Sequence, residues 1–415
     1  EDFEKAYVEY ENKGLARNKI KARDLYQKMM HIQYKSGNPY VGFKDHANRK
    51  SNQKNLGTIK SSNLCIEIVQ YSDKDETAVC NLGSMALPTF VKDGVFDFKV
   101  FGKSVENMVK ALNNVIDRTY YPVEKAKNSN QKHRPIGLGV QGLADVFMLM
   151  GLPYTSSEAR ALNKEIFESM YFHALKASVE LAKKDGKYSS FDGSPASQGI
   201  LQFDHWGVSP SDRYDWETLK KEIMEHGLRN SLLLALMPTA STAQILGNTE
   251  SFEPLTSNLY SREIGGGAFV VVNEILVNQL TGLGLWTPEI RNKILANDGS
   301  IQNISEIPES VREVFKTIWE IKQKDCLEMA ADRGAFICQS QSMNLWMSEP
   351  NVAKLSSAIM YAWKLGLKTG SYYVRAKAGA SGAKIGQAAL GSEEETKSDM
   401  VCSLDNPEAC DACGA

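Results

Sequence analysis

Apolar side chains recur every three to four positions over much of this chain, which is the spacing of helices that bury one face. Residues 1–36 carry two such patterns, with a break at Asn18. The same spacing predicts further helices over 97–119, 156–184, 216–227, 280–295, 309–332 and 349–366. Helices of this length that alternate with short apolar runs indicate an α/β protein.

Short apolar runs between the predicted helices supply candidate strands. Leu232 to Met237 is wholly apolar, as in a strand buried in a parallel sheet or a barrel. Residues 135–142, Pro-Ile-Gly-Leu-Gly-Val-Gln-Gly, predict a turn or short strand that enters a helix through Met150. The glycines match the dinucleotide pattern GxGxxG only by letters, because no acidic residue follows at the right distance. We interpret them as points of close backbone packing.

Three polar segments interrupt the apolar pattern. Residues 46–62 predict a loop, and residues 188–214 predict a surface excursion that contains Gly, Ser and Pro. Residues 376–400 have few large apolar side chains and the composition of a flexible linker. We therefore expect a folded unit over residues 1–375, followed by a linker and tail over residues 376–415.

Composition is that of an ordinary globular protein, with 42% hydrophobic and 24% charged residues. The formal net charge of -2 gives no electrostatic reason to bind nucleic acid or an acidic membrane. No apolar run reaches the length of about 18 residues that a transmembrane helix needs. The first residues are charged and include no initiator Met, so we expect the sequence to begin inside a longer polypeptide.

The seven cysteines are not spaced like a secreted disulfide framework, so we expect a reducing, cytoplasmic environment. Cys326 and Cys338 lie in or near a predicted helix and are interpreted as core or surface residues. Cysteine groups in a reducing compartment tend to be catalytic or metal-binding. The remaining cysteines form two such groups, Cys65 with Cys80, and Cys402 with Cys410 and Cys413.

The densest candidate chemistry is Asn63-Leu64-Cys65-Ile66-Glu67. In an extended segment alternate residues share a face, so Asn63, Cys65 and Glu67 would point into one space. A nearby carboxylate disfavours a thiolate, which suits a sulfur that reacts while neutral or by one electron, with Glu67 moving a proton. The alternative is that Cys65 is simply a small buried hydrophobic residue.

A second candidate site is the segment Pro238-Thr239-Ala240-Ser241-Thr242, which follows the apolar run 232–237. A helix start is predicted here, and helix N-termini present free N–H groups and a positive dipole end. The hydroxyl side chains add donors, so the segment could bind a phosphate at the C-terminal end of a strand. The alternative is an ordinary helix N-cap, which needs only one hydroxyl.

Two further motifs could carry redox chemistry. Tyr372 and Tyr373 are adjacent in a short apolar stretch, where we expect them to point to opposite faces and to serve packing. Alternatively, stacked phenols can pass an electron and a proton stepwise. Cys410 and Cys413 form a CxxC pair, which suits a dithiol shuttle on a mobile tail better than a zinc site, because no fourth ligand lies nearby.

Together these motifs resemble one family, the large subunit of class I ribonucleotide reductase in its eukaryotic and viral branch. The resemblance spans nearly the whole chain in the family's order. It rests on residues 62–68, 78–82, 237–248 with Glu250, and 372–373, on the CxxC tail, and on the segments 48–53 and 55–60. It implies part of a ten-stranded α/β barrel, with a finger loop that carries Cys65 into the centre.

The resemblance also implies a role for each candidate residue in the reduction of ribonucleoside diphosphates to 2′-deoxyribonucleoside diphosphates. Cys65 corresponds to the thiyl radical that removes the 3′ hydrogen, Glu67 to the base on the 3′ hydroxyl, and Asn63 to an amide that holds substrate hydroxyls. Cys80 corresponds to one of two thiols that reduce the 2′ position. Residues 238–242 correspond to the loop that binds the diphosphate.

The resemblance implies partners as well. Tyr372 and Tyr373 would relay the radical from a metal-containing small subunit, so no metal or other cofactor is expected in this chain itself. Cys410 and Cys413 would re-reduce the active-site disulfide and be reduced in turn by thioredoxin or glutaredoxin. The family's large subunit is expected to form a homodimer, and its ATP and dNTP effectors would bind the N-terminal half.

The main departure from the family is that no cysteine here fits the partner of Cys80, which the family places far upstream. We therefore expect this chain to be the C-terminal half, a fragment or a split-gene product that cannot turn over alone. One alternative is a remnant that has lost activity, which the retained Cys65, Glu67 and tyrosine pair argue against. Another is a cobalamin-dependent or glycyl-radical reductase, which the tyrosine pair disfavours.

Overall fold

The computed structural model describes residues 2–264 and 267–377, and helices make up nearly half of this part of the chain. Each predicted helical region contains helix. The α-helices are α1 (Asp2–Asn12), α2 (Ala22–Ser36), α3 (Lys44–Arg49), α4 (Phe98–Arg118), α5 (Glu124–His133), α6 (Leu143–Leu149), α7 (Ser157–Asp185), α8 (Gln202–Trp206), α9 (Trp216–His226), α10 (Ala240–Leu246), α11 (Glu274–Gly282), α12 (Pro288–Ala296), α13 (Glu309–Val314), α14 (Gln323–Gly334) and α15 (Val352–Lys364).

The strands are short and pair mostly between distant parts of the chain. Parallel pairs join β2 with β5 and β8 with β10, whereas β1 with β9, β3 with β4, and β6 with β7 are antiparallel. Their bounds are β1 (Val41–Gly42), β2 (Leu82–Ala86), β3 (Val91–Lys92), β4 (Val95–Phe96), β5 (Gly137–Gln141), β6 (Leu259–Ile264), β7 (Gly267–Val272), β8 (Leu345–Met347), β9 (Thr369–Ser371) and β10 (Val374–Ala376).

Parallel segments lie side by side in the order β2, β5, residues 232–236 and residues 339–342. Single bridges make the last two connections, Leu138 with Leu234 and Leu236 with Gln341. The apolar run 232–237 is buried as predicted, but it forms these isolated bridges rather than a regular strand. The arrangement resembles adjacent parallel strands of a β-barrel, and it places the C-terminal ends of these segments on the same side.

Helix packing on this parallel array follows the amphipathic pattern of the sequence. Helix α4 is capped by Asp97, whose carboxylate accepts hydrogen bonds from the backbone N–H groups of Lys99 and Val100. Phe101 and Val105 on its apolar face are fully buried in the main core. Helix α7 packs along α4 and buries a second apolar face there. The helices at 97–119, 156–184 and 216–227 are confirmed.

Some predicted elements differ from the structure. The pattern over 280–295 belongs to two helices, α11 and α12, because the chain turns at residues 283–287. The pattern over 309–332 is divided between α13, a 3-10 turn at Ile318–Glu320 and α14. Residues 188–214 were expected at the surface, but Tyr188, Phe191 and Phe203 are buried, because aromatic side chains in this segment pack into the main core.

The glycines of residues 135–142 serve close packing, as the sequence predicts. A Cβ atom at Gly139 would lie 2.8 Å from the Ala235 carbonyl oxygen and 2.8 Å from Met237 Sδ. A Cβ atom at Gly137 would lie 2.7 Å from Leu82 Cδ2. Glycine therefore allows the parallel segments to approach on both sides of β5. In the described part of the chain, no helix is long and apolar enough to cross a membrane.

Candidate active site

Cys65 lies in a tight turn, so the prediction of an extended strand at residues 63–67 is wrong. Ile66 has φ 67, a left-handed conformation that is unfavourable for a β-branched residue. The turn is closed by Asn63, whose carbonyl accepts from the N–H of Ile66 at 3.2 Å. The Asn63 side-chain oxygen accepts from the N–H of Ile68, also at 3.2 Å. Local hydrogen bonds therefore replace the strand that alternation alone predicted.

The turn still brings Cys65 and Glu67 to a common site, where Cys80 joins them. Glu67 is 1% exposed, and its carboxylate lies 3.0 Å from the Ser342 hydroxyl. Cys80 is an exposed residue. Partial desolvation of its thiol nevertheless raises the pKa to about 11, and repulsion by Glu67 and Cys65 adds to that increase. Cys80 is therefore a neutral thiol at pH 7.

Tyr372 contacts Cys65 directly, with its hydroxyl 3.6 Å from the Cys65 sulfur. The rings of Tyr372 and Tyr373 pack against each other with centroids 4.5 Å apart, so the expectation that they point to opposite faces is wrong. The reason is that neither residue belongs to a strand, since β9 ends at Ser371 and β10 begins at Val374. The two rings are in contact, as the redox alternative requires, but their planes are tilted by 58° and are not stacked face to face.

A third tyrosine, Tyr40, completes the aromatic cluster and was missed in the sequence. Its ring centroid lies 4.7 Å from that of Tyr372 and 4.9 Å from that of Tyr373. Desolvation raises the pKa of Tyr40 to about 12, with the hydrogen bond to Tyr373 adding to the shift. Desolvation and the neighbouring Cys65 also raise the pKa of Tyr372. These phenols therefore keep their protons at neutral pH.

A buried carboxylate supports the backbone beside the tyrosine pair. The Tyr373 N–H donates to the Asn344 side-chain oxygen at 3.2 Å. Asn344 in turn donates to Glu253 from its backbone N–H at 3.0 Å and from its side-chain amide at 2.9 Å. Burial raises the pKa of Glu253, whereas the hydrogen bonds from Asn344 oppose that shift. No sequence pattern indicated this connection, because Glu253 and Asn344 are 91 positions apart.

The hydroxyl segment after residue 237 begins helix α10 at Ala240, with Thr239 as the N-cap residue, so the predicted helix start is confirmed. Not all of its hydroxyls are available to a ligand. The Thr239 hydroxyl oxygen accepts from the Ser251 N–H at 2.7 Å, and the Thr242 hydroxyl donates to the Thr239 carbonyl at 2.7 Å. Ser241 and Ala240 are exposed, and Pro238 is half-buried.

Asp145 fixes the segment that follows helix α10. Its carboxylate accepts from Thr249 twice, at 2.6 Å from the backbone N–H and at 3.0 Å from the hydroxyl. Burial raises the pKa of Asp145 to about 6, against the effect of both hydrogen bonds. Asp145 was also missed in the sequence analysis, because nothing in the sequence distinguishes it from other acidic residues that precede an apolar run.

The structure describes two of the remaining cysteines, Cys326 and Cys338. Cys410 and Cys413 lie outside the described residues. Cys326 is partly buried, and Cys338 is buried, as expected for structural cysteines. Over residues 2–264 and 267–377, His, Cys, Asp and Glu side chains form no group of three or more that could hold a metal ion.

The parallel segments surround a turn that places the Cys65 thiol near a carboxylate and a pair of tyrosines whose rings are in contact. This arrangement defines an α/β barrel-type protein with a site suited to thiol and tyrosine redox chemistry. The family model described as "Ribonucleotide reductase, barrel domain" matches residues 1–373. The chain therefore belongs to the ribonucleotide reductase barrel-domain family, and the predicted fold class is confirmed.

Curated relatives from several lineages have similar sequences over this region. Identity is 51% to the ribonucleoside-diphosphate reductase large subunit of Arabidopsis thaliana, across 100% of this chain and 55% of the relative. It is 53% to the Caenorhabditis elegans large subunit, across 100% and 53%. For the Vaccinia virus large subunit it is 55%, across 91% and 49%. These identities confirm the resemblance to the eukaryotic and viral branch. The chain spans about half the length of these relatives.

A solved structure is also similar. The alpha subunit of the class Id ribonucleotide reductase of Actinobacillus ureae aligns with a TM-score of 0.70 and 30% sequence identity. The alignment covers 86% of this chain and 61% of that subunit. The barrel-domain assignment therefore has support from the fold as well as from the sequence.

Proposed function

We propose that this chain is the catalytic part of a ribonucleoside-diphosphate reductase large subunit, which converts ribonucleoside diphosphates to 2′-deoxyribonucleoside diphosphates for DNA synthesis. The observation that carries the proposal is the contact of 3.6 Å between the Tyr372 hydroxyl and the Cys65 sulfur. This contact connects a cluster of tyrosine rings to a thiol that lies next to a buried carboxylate. A hydrolase or a simple binding protein would have no use for such an arrangement.

The radical would reach Cys65 through the tyrosines. A separate, metal-containing small subunit would supply it to Tyr373, which passes it to Tyr372. The Tyr372 radical takes the hydrogen atom of the Cys65 thiol, so the phenol is restored and a thiyl radical forms on sulfur. The ring separation of 4.5 Å supports the first step, and the Tyr372–Cys65 contact supports the second.

The thiyl radical of Cys65 would then remove the 3′ hydrogen atom of the substrate, while Glu67 takes the proton of the 3′ hydroxyl. The 2′ hydroxyl takes a proton from one thiol of a pair, Cys80 and a second thiol expected on the N-terminal half, and leaves as water. The other thiol gives a hydrogen atom to the 2′ carbon, and the two sulfurs form a disulfide as they release the second electron to the substrate. Glu67 returns its proton to the 3′ oxygen, the hydrogen atom held by Cys65 returns to the 3′ carbon, and Cys65 is a radical again. The raised pKa of Cys80 supports a reductant that enters the reaction as a neutral thiol.

Substrate would be held at both ends of the site. Asn63, at the base of the turn, would bind substrate hydroxyls together with Glu67. The segment Pro238, Thr239, Ala240, Ser241 and Thr242 would bind the diphosphate, mainly through backbone N–H groups at the start of α10. The exposed positions of Ala240 and Ser241 support this assignment, since a phosphate could approach them from solvent.

The proposed partners follow from the same reaction. They are a small subunit that supplies the radical, the N-terminal half of the large subunit with its ATP and dNTP effector sites, and a second large subunit in a homodimer. Residues 1–375 would form the barrel part, and residues 376–415 the linker and tail. Cys410 and Cys413 in the tail would reduce the active-site disulfide and accept electrons from thioredoxin or glutaredoxin in the cytoplasm.

The test uses an assembly of this chain, the N-terminal half of a related large subunit and a small subunit. A dithiol reductant is added. We expect this assembly to form 2′-deoxyribonucleoside diphosphate. Cys65→Ser and Tyr372→Phe should each abolish product formation, because neither side chain can then carry the radical. Cys326→Ser is the control, since Cys326 is a partly buried cysteine on α14, and it should retain activity. Turnover that survives Cys65→Ser would contradict the proposal.

A further inference from the structure

The backbone of the turn that carries Cys65 is held from outside by a set of hydroxyl and N–H donors. Three successive carbonyls, those of residues 65, 66 and 67, each accept one hydrogen bond. The Ser342 hydroxyl lies 2.6 Å from the Cys65 carbonyl oxygen, and the Thr369 hydroxyl donates to the Ile66 carbonyl at 3.0 Å. The Ser340 N–H donates to the Glu67 carbonyl at 2.8 Å.

These donors form a connected group that comes from two elements. Ser340 and Ser342 belong to the segment 339–342, and Thr369 begins β9. The Ser340 and Thr369 hydroxyls lie 2.6 Å apart, so the two elements are joined to each other as well as to the turn. All three side chains are buried. The left-handed conformation of Ile66 is unfavourable in isolation, and it persists here because the surrounding contacts determine it.

Ser342 differs from the other two because it contacts the catalytic carboxylate as well as the turn. Its hydroxyl oxygen lies 2.6 Å from the Cys65 carbonyl oxygen and 3.0 Å from Glu67 Oε2. A serine hydroxyl has one proton to donate and can also accept. When Glu67 is ionised, the Ser342 proton can point to the carboxylate. When Glu67 is protonated, Glu67 can donate to Ser342, and the Ser342 proton can turn to the Cys65 carbonyl.

We propose that Ser342 is a positioning residue that keeps Glu67 hydrogen-bonded in both of its protonation states and couples each state to the peptide of Cys65. The inference rests on the proposed function, in which Glu67 receives the proton of the substrate's 3′ hydroxyl. That proton remains on Glu67 until it returns to the 3′ oxygen, and the Ser342 proton only rotates about the Cβ–Oγ bond. Glu67 then has a hydrogen-bond partner in both protonation states, and the loss of that partner would slow the step.

The first experiment compares Ser342→Ala with Ser342→Thr in the assembled enzyme that is used to test the function. We expect Ser342→Ala to lower kcat by about 10- to 100-fold, the loss that small displacements of catalytic groups can cause. KM for the ribonucleoside diphosphate should change by less than about threefold, because the diphosphate segment is untouched. Ser342→Thr keeps a hydroxyl and should recover most of kcat.

The matched control is Ser178→Ala, which removes another buried serine hydroxyl. Ser178 lies in α7 and bonds Asn230, through a contact of 3.1 Å to the side-chain oxygen. It should leave kcat within about twofold of the parent enzyme. A kcat loss in Ser178→Ala equal to that in Ser342→Ala would overturn the inference, because the loss would then reflect general destabilisation. So would a Ser342→Thr variant that is folded but no more active than Ser342→Ala.

A second measurement does not depend on activity. The rate of Cys65 alkylation by iodoacetamide is measured by mass spectrometry in the full chain, with buried Cys338 as an internal reporter of unfolding. Ser342→Ala should speed Cys65 labelling by about 10-fold, because the turn loses one of its three external hydrogen bonds. Cys338 labelling should not change. An unchanged Cys65 rate would overturn the inference, whereas a wild-type assembly without turnover would refute only the proposed function.

Discussion

At the scale of single residues, burial controls the chemistry of the ionisable groups in the site. Desolvation is the first cause of the raised pKa values of Cys80, Tyr40 and Tyr372. All of these groups are therefore neutral at physiological pH. Neutral thiols and phenols keep the hydrogen atom that a radical reaction must move, whereas ionised groups would have lost it.

Cys80 should react slowly with alkylating agents at neutral pH. A pKa of about 11, against an ordinary value of 9.0, lowers its thiolate fraction about 100-fold. We expect iodoacetamide to label Cys80 at pH 7.5 about 10-fold more slowly than an unhindered cysteine, since the more basic thiolate is also the better nucleophile. The rate should increase with pH up to about 11.

Glu67→Gln gives the matched test of this electrostatic effect. It removes the repulsion by Glu67 but leaves the burial of Cys80, which is the larger cause of the raised pKa. Labelling of Cys80 should therefore become severalfold faster without reaching the rate of an unhindered cysteine. If Cys80 in the parent chain is labelled at pH 7.5 as fast as an unhindered cysteine, its thiol is not desolvated.

At the scale of elements, close approach between parallel segments sets the geometry of the site. Strand β5 lies between β2 and residues 232–236, and its glycines allow both neighbours to pack on it. The segment 232–237 leads directly into the hydroxyl residues at the start of α10. A displacement at β5 would therefore be transmitted to the proposed diphosphate site.

Gly139→Ala should destabilise the protein, because the new methyl group would lie 2.8 Å from the Ala235 carbonyl oxygen. Overpacking of this kind costs about 1–3 kcal/mol, since backbone must shift to relieve it. The measurement is the free energy of unfolding in urea. Gly282→Ala is the control, because a Cβ atom at Gly282 has no heavy atom within 4 Å, and it should be neutral or slightly stabilising. Equal stability of the two variants would contradict the packing argument.

At the scale of the whole molecule, the site depends on contacts between parts that are far apart in the chain. Tyr372 and Cys65 are 307 positions apart, and Ser342 and Cys65 are 277 apart. Asp145 and Thr249, which support the segment after α10, are 104 apart. The site can form only when the whole described fold is present, so global stability and site integrity are connected.

Asp145 should make the stability of the molecule decrease between pH 5 and pH 7. Its folded pKa of about 6 lies above the ordinary 3.8, so the folded state binds more protons than the unfolded state between these values. The free energy of unfolding therefore falls as pH rises through this window, by about 1 kcal/mol between pH 5 and pH 7.

The check is urea unfolding of the parent chain and of Asp145→Asn at both pH values. Asparagine can still accept from the Thr249 N–H but cannot ionise. Between pH 5 and pH 7, the free energy of unfolding of Asp145→Asn should therefore increase by about 1 kcal/mol relative to that of the parent chain. A difference that is independent of pH would show that Asp145 has an ordinary pKa in the folded protein.

The sequence predicted the helices with a regular apolar face, and it predicted less well where tertiary contacts override local pattern. Periodicity located α4, α7 and α9 closely, because one face of each packs on the core. It joined α11 with α12 and missed the turn between them, since both carry apolar residues at similar spacing. It placed Cys65 in a strand, because alternation cannot detect a left-handed residue such as Ile66.

The sequence by itself determined the family and most of the helices and supplied the candidate site residues, because these depend on residue types and short-range spacing. Only the tertiary structure decided how the residues meet. It brought Tyr40 to the tyrosine pair and Ser342 to both Cys65 and Glu67. It also assigned two of the hydroxyls near α10 to internal hydrogen bonds. Such contacts depend on packing between distant segments, which no local pattern in the chain encodes.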